Sequence, residues 1–415
     1  MLKQPLVTNL KKRKNKRYDF YYNTYGPIIK KRRLELKKTQ EDVACSICSN
    51  TYISKAENNQ VTIAKEQLSL IMERLDIPDQ AYANPEELVY YLERVIEYYF
   101  YRDISQYQKL MDKIDGYHFH ALVEVLKLGY YVLVKDYQSA LKIYQQLLDY
   151  LSALEDLAFA VFLIFSADLC LKTNEFQLAK FLIDSLDVIH MNYSELLPMY
   201  LYSKFRIYGR LCLPRESLRA YNQLVHILVD TGNILLMNEC MICKNLFATM
   251  DGEGHQFKYL ESLINEIDPE VVDEYLVIKA FNSKNPEYYV SLIKNKQSEM
   301  YLVALYVLAR YYRKKKDESL YQEMIEKISE MRKTLDYEID FNHLLELKES
   351  DQWIFYKEYL VNPCLKVAKT NENIYMMRHI SQRIVDVLEK NNRYKDALNY
   401  TIQTDKRIHR LKFES

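Results

Sequence analysis

The side chains best suited to meet a partner stand in one short stretch, Thr39 to Glu57. Gln40, Ser49, Asn50, Thr51, Tyr52 and Lys55 supply hydrogen-bond donors, acceptors and one cation. Short polar groups and an ammonium on one helical face are what contacts to base edges and phosphates in a major groove require. A second set lies far downstream. Asn238 and Asn245, seven apart, share a face of a helix predicted over residues 233–250, and an Asn amide offers the donor and acceptor that a bare peptide backbone needs. Arg206 and Arg210, four apart on the preceding helix, can pair with a carboxylate. A solvated helix face is the plainer reading of these four. Two Cys-x-x-Cys pairs, Cys45/Cys48 and Cys240/Cys243, have a spacing that can hold zinc or cycle a disulfide. Both fall in helical sequence and in different predicted domains, so packing is the expected role, with no metal and no cofactor. The chain has no Gly-rich phosphate loop and no zinc-protease His pair, and its eight His are scattered, with His118 and His120 the closest together. No catalytic residue is expected, and the chain does not read as an enzyme.

The elements that position the first set follow from local chemistry. Thr39 is an N-cap, and Asp42 three residues on can complete a reciprocal capping box. Val43, Ala44 and Ile47 give the helix that follows an apolar side. Ser49 caps a second helix, in which Tyr52, Ile53 and Ala56 leave Asn50, Thr51, Ser54 and Lys55 on the other side. Cys48 occupies the turn between them, where a small apolar side chain is wanted. An earlier helix runs from about Pro27 to Lys37, and Leu68, Leu70, Ile71, Leu75 and Ile77 close a small core. The predicted organisation is a basic arm over 1–25, a helix-turn-helix domain over 26–78, a linker over 79–85 and a helical-repeat body over 86–415. The arm's run Lys11–Arg17 reads as a solvated tail or as a segment that follows the DNA backbone.

Composition sets the class. The 415 residues are 49% apolar, with only 7 Gly and 9 Pro, and no stretch sustains period-two alternation. Scarce breakers and long runs of Leu, Ile, Tyr, Glu and Lys predict an all-α protein. The 38 Tyr are read as packing between helices with their hydroxyls wet. Net charge is zero, yet from Lys3 to Lys38 the only acids are Asp19 and Glu35, so the remainder is acidic. A basic end on an acidic body predicts a nucleic-acid contact confined to one domain. The basic start lacks a following apolar segment, and the most apolar stretch, Leu157 to Ala167, is too short to span a bilayer. Seven cysteines without a framework fit a reducing compartment, so a soluble cytoplasmic protein is expected.

Internal similarity is weak but periodic. Tyr137-x-x-Ala140-Leu141, Phe176-x-x-Ala179 and Tyr394-x-x-Ala397-Leu398 pair an aromatic with a small residue after a polar break. The first two are 39 residues apart, and a similar interval reaches Arg215–Leu218 after Pro214. This resembles a degenerate tetratricopeptide array, whose period is about 34 residues. Such arrays form a right-handed α-solenoid with a peptide-binding groove. The last repeat, Tyr394 to Leu411, is expected to cap the array or join a dimer interface.

The residues around Thr39–Glu57 also resemble the phage-repressor-like (XRE) helix-turn-helix family. Ile53-Ser54-Lys55-Ala56-Glu57 occupies that family's signature position, and Arg33 stands six before Thr39-Gln40. The resemblance implies a five-helix domain with a buried Arg33–Glu57 ion pair. Three departures are visible. Asn58-Asn59 replaces the usual Gly and suits a left-handed helix end, Lys38 replaces Leu, and Ile63 stands where relatives carry Pro. A short turn at Ser46-Ile47-Cys48, joined to a helical-repeat body, is similar to the peptide-pheromone-responsive regulators of the Rgg and PlcR type. That resemblance implies a homodimer on a two-fold DNA operator, controlled by a short signalling peptide in the repeat groove, with Asn238, Asn245, Arg206 and Arg210 as peptide candidates. Two alternatives are weighed against it. In one, the repeats bind a protein partner or only dimerise; in the other, the chain is an RNA-binding or toxin-antitoxin-like scaffold.

Overall fold

A computed structural model describes residues 25–58, 60–78, 85–114, 121–151, 154, 156–188, 196–250, 267–335, 339, 341, 345, 353–370 and 374–413. The basic arm through residue 24, Asn59, most of the linker, His118 and His120 lie outside them. Every regular element among the described residues is a helix. The chain divides into two compact units, Met1–Ser203 and Lys204–Ser415.

The first unit opens with α1 (Tyr25–Glu35), α2 (Gln40–Ala44), α3 (Asn50–Glu57) and α4 (Lys65–Arg74). The caps are those the residue types dictate. Thr39 Oγ1 accepts from the Asp42 amide at 3.1 Å, and Asp42 Oδ2 accepts from the Thr39 amide at 2.7 Å. Hydrogen bonding from the Thr39 backbone amide, and then from its hydroxyl, holds the Asp42 carboxyl below its usual range. Ser46 takes a left-handed conformation (φ 59°) in the turn, and Ser49 Oγ then accepts from the Tyr52 amide at 3.2 Å. Ile28, Ile29, Val43, Ala44, Ile53, Ala56, Ile63, Ile71, Met72, Leu75 and Ile77 form one core.

Several expectations need correction. Leu70 does not close this core but stands 49% exposed. On α4 the inward spacing is Leu68, Ile71, Met72, Leu75, and Leu70 falls between those turns. Asn58 is not left-handed (φ −101°); its side-chain amide caps α3 by donating to the Ser54 carbonyl at 2.6 Å. Lys38 is accommodated by donating to the Arg74 carbonyl at 2.7 Å, and Ile63 is simply buried. The described residues of 26–78 hold four helices; the expected fifth is not among them.

Helix pairs follow: α5 (Pro85–Tyr101) with α6 (Ile104–Ile114), α7 (Ala121–Leu133) with α8 (Tyr137–Tyr150), and α9 (Asp156–Lys172) with α10 (Phe176–Val188). Each first helix ends in a left-handed residue, Arg102, Lys135 or Asn174. A backbone bond back across the turn accompanies each, such as Asp136 N to Tyr131 O at 2.9 Å. This αL closure reverses the chain without a Gly. α9 is buried along Ala158–Leu171. Its Asp168 accepts from Tyr99 Oη and Ser203 Oγ, each at 2.7 Å. Gly129 matters here because a Cβ would collide with the Phe165 ring and the Tyr107 hydroxyl. No helix among the described residues is long and apolar enough to cross a membrane.

α11 (Leu197–Arg210) carries the chain into the second unit. There α12 (Pro214–Asp230), α13 (Ile234–Met250), α14 (Pro269–Asn282), α15 (Pro286–Ser291), α16 (Glu299–Lys315) and α17 (Glu318–Leu335) follow. α18 (Trp353–Tyr359) runs through a π-turn at Leu360–Cys364, which contains Pro363, into α19 (Leu365–Thr370). α20 (Ile374–Lys390) and α21 (Tyr394–Phe413) close the chain. The same left-handed turn recurs at Cys212, Lys316 and Asn392, as well as at Gly232. Helices begin at Tyr137, Phe176 and Tyr394, where the aromatic of each repeated motif follows its polar break, and at Pro214, just before Arg215–Leu218.

Candidate nucleic-acid interface

α3 is held by a polar knot beneath it. Arg33 Nε and Nη2 donate to the two Glu57 carboxylate oxygens at 2.5 and 3.0 Å, and Arg33 Nη1 donates to the Lys38 carbonyl at 3.0 Å. Glu57 is almost fully buried and also accepts from Gln40 Nε2 at 2.8 Å. One carboxylate thereby ties α1, α2 and α3 together, and the two-pronged geometry fixes direction as well as charge. Arg74 adds a brace by donating to the Val43 and Cys45 carbonyls, so α4 grips the end of α2 and the turn.

The outward side of α3 is chemically opposite. Asn50, Thr51 and Lys55 are exposed, as is the cap Ser49, while Ile53, Ala56 and Glu57 face the core. Tyr52 is half-buried. Its hydroxyl donates to the Thr62 carbonyl at 3.2 Å and accepts from the Ala64 amide at 3.3 Å, so its ring also secures the loop into α4. The six candidate residues therefore divide. Ser49, Asn50, Thr51 and Lys55 are presented outward, whereas the Gln40 amide is engaged with Glu57 and Tyr52 is shared with the loop. Cys45 is exposed and Cys48 half-buried, and burial raises the Cys48 thiol.

Sequence reasoning missed one contact of this domain. Lys31 on α1 is buried, and its Nζ donates to Glu124 Oε1 on α7 at 2.8 Å. This ion pair joins the helix-turn-helix to the helical body within the first unit. Its partners are 93 residues apart, so no local pattern announces it.

In the second unit, Asn238 and Asn245 lie on α13 but are only 4% and 6% exposed, and Arg206 on α11 is 6% exposed. Asn245 Nδ2 donates to the Met241 carbonyl at 2.8 Å. The Asn238 amide makes no hydrogen bond among the described residues. Arg210 is engaged in a two-pronged pair with Glu274 on α14. Arg206, Arg210, Glu239 and Glu274 all act on the buried Cys243 thiol, whose pKa burial pushes up to about 12. The structure thus brings the two Arg together with α13, in a packed polar layer and not on a solvated face. Cys240 and Cys243 are both buried, and no group of metal-binding side chains occurs among the described residues.

Comparison with known proteins bears on the fold and on the helix-turn-helix. Residues 29–80 match the family described as "Helix-turn-helix". No curated protein matches the chain by sequence. Among solved structures, the apo form of the quorum sensor NprR from Bacillus thuringiensis is similar, with a TM-score of 0.54 and 14% identity. The match covers 77% of this chain and 98% of that one. PlcR from Bacillus thuringiensis, in complex with the peptide PapR7 and DNA, matches at 17% identity over 66% of this chain and 100% of that one. Its TM-score is 0.34, too low to indicate a shared overall fold. Residues 29–80 are a helix-turn-helix domain of the DNA-binding type, at the head of a chain whose all-helical fold is similar to that of NprR.

Proposed function

We propose that the chain is a cytoplasmic transcriptional regulator that binds a two-fold DNA operator as a homodimer and responds to a short signalling peptide. The observation that carries the DNA half is the division of α3. Ser49, Asn50, Thr51 and Lys55 stand outward over a helix whose other side is locked by Arg33–Glu57. Asn50 and Thr51 reach base edges, and Lys55 and the α2 end reach phosphates. Gln40 serves DNA through its backbone at the start of α2, because its side chain holds Glu57.

The peptide half rests on α13. An Asn238 that is almost buried, with an amide that makes no hydrogen bond among the described residues, offers a donor and an acceptor to an extended backbone. Asn245 lies two turns further along α13, and Arg206 acts on Cys243 between the two Asn. Arg210 takes part by exchanging Glu274 for a peptide carboxylate. The peptide acts only insofar as it favours one arrangement of the dimer over another. NprR, similar in fold, is a quorum sensor.

The dimer is supported by α21, whose Tyr394, Leu398 and Ile402 form an exposed apolar stripe at intervals of four. That stripe also favours a second reading, in which the body only dimerises or binds a protein partner.

The test is binding of the chain to its upstream promoter DNA with and without culture-derived peptide, followed on a sizing column. Peptide-dependent change in DNA affinity, lost in the Asn238→Ala/Asn245→Ala variant, supports the first reading. Promoter binding that peptide never alters supports the second. Failure to bind the promoter under any condition contradicts both.

A further inference from the structure

The second unit contains a cleft of about 430 Å³ that the reading above does not use. Val307, Arg310, Tyr311 and Lys314 of α16 line it, together with Phe281 and Leu345. Its volume is in the range of small-molecule sites.

The floor of the cleft is cationic in an unusual way. Arg310 sits over the Tyr306 ring, 5.7 Å from its centroid. It has neither hydrogen bond nor ion pair among the described residues. Its charged neighbour is another guanidinium, Arg383 on α20, which donates to Tyr306 Oη at 3.0 Å. Burial and Arg383 together hold the Arg310 pKa below its ordinary value. His379, edge-on to Phe281 at 6.0 Å, is held neutral with a pKa of about 4 by burial and by Arg383 and Arg310. Among the described residues, Asp386 is the acid that acts on this group, weakly and through charge alone, on His379 and Arg383. Elsewhere the chain pairs its buried cations: Arg33 with Glu57, Arg210 with Glu274, Lys31 with Glu124. A partly buried guanidinium facing a cleft whose described lining holds no carboxylate is costly to keep unless an anion completes it.

We propose that this cleft binds an organic carboxylate, with Arg310 as its charge partner and Phe281, Val307 and Leu345 around its apolar body. A guanidinium and a carboxylate match in planar, two-pronged geometry. Lys314, exposed at the rim, adds only a screened charge. Asn238, Asn245, Arg206 and Arg210 take no part, so the site stands or falls apart from the α13 reading.

The test is isothermal titration of the full chain with sodium hexanoate, hexanamide and inorganic phosphate, using wild type, Arg310→Gln, Arg310→Met and Lys314→Gln. Hexanoate is expected to bind wild type, with hexanamide and Arg310→Gln each weaker by about tenfold or more, and Lys314→Gln by less than about threefold. Arg310→Met is expected to melt no lower than wild type without ligand and to lose the rise in melting temperature that hexanoate gives. An acetylated tri-leucine acid and its amide distinguish the sources of the carboxylate. Tighter binding of the peptide acid than of hexanoate assigns the site to a chain terminus, and equal or weaker binding assigns it to a small acid. Equal hexanoate affinity in wild type and Arg310→Gln, no heat with any carboxylate, or phosphate binding without hexanoate binding would overturn the assignment.

Discussion

Two helices of this chain carry polar residues at helical spacing, and the fold treats them in opposite ways. α3 turns Asn50, Thr51 and Lys55 to solvent and buries Ile53 and Ala56. α13 buries Asn238 and Asn245 along with Leu236, Cys240, Ile242 and Leu246. The difference lies in the apolar residues between the polar ones. In α3 they fall on a single side, so the polar side stays outside. In α13 they surround the helix, and a helix apolar nearly all round becomes core, trapping whatever polar groups it carries. A polar helical face is thus a surface feature in the first case and an interior layer in the second. The chemistry available differs accordingly: α3 offers groups solvated by water and ready to exchange it for a partner, and α13 offers an interior amide without a hydrogen bond among the described residues.

The sharpest way to break the α3 side is beneath it. Glu57→Ala leaves Arg33 buried without its carboxylate, and the loss should be about 3–5 kcal/mol in the unfolding free energy of the helix-turn-helix, read by urea titration. A loss under about 1 kcal/mol would mean that water satisfies Arg33. On the outward side the expectation reverses. Asn50→Ala should leave stability within about 0.5 kcal/mol. It should cost about 1–3 kcal/mol of discrimination at one base pair, seen by comparing operator variants. Lys55→Ala should weaken all sequences alike and reduce the salt slope of binding by about 1, measured over a salt series. On α13, Asn238→Leu should change stability by less than about 1 kcal/mol, in either direction, because no hydrogen bond is lost. A cost above about 2 kcal/mol in thermal unfolding would instead show that the amide has a structural partner.

What was legible in the sequence was what side chains do to their own backbone. The Thr39–Asp42 capping box, the Ser49 cap and the helix starts at Tyr137, Phe176 and Tyr394 all depend on residues within four positions of one another. The Arg33–Glu57 pair spans 24 residues and was reachable only because family resemblance carried it. The rest depends on which helices become neighbours. Lys31 finds Glu124, Arg210 finds Glu274, and Arg310 finds Arg383 and no acid among the described residues. Nothing in the local pattern of any of these residues encodes that outcome. Leu70 and Asn58 show the same limit at short range. Leu70 is one position off the buried stripe, and Asn58 uses its side chain where a left-handed backbone was expected.

The most direct test of the account is operator binding by the Asn50→Ala/Lys55→Ala double variant beside wild type, on the DNA upstream of the gene. Both proteins should unfold at the same urea concentration, wild type should bind a two-fold site, and the double variant should lose that binding and its base preference. Equal affinity and equal preference in the two proteins would contradict the assignment of α3 as the helix that reads DNA.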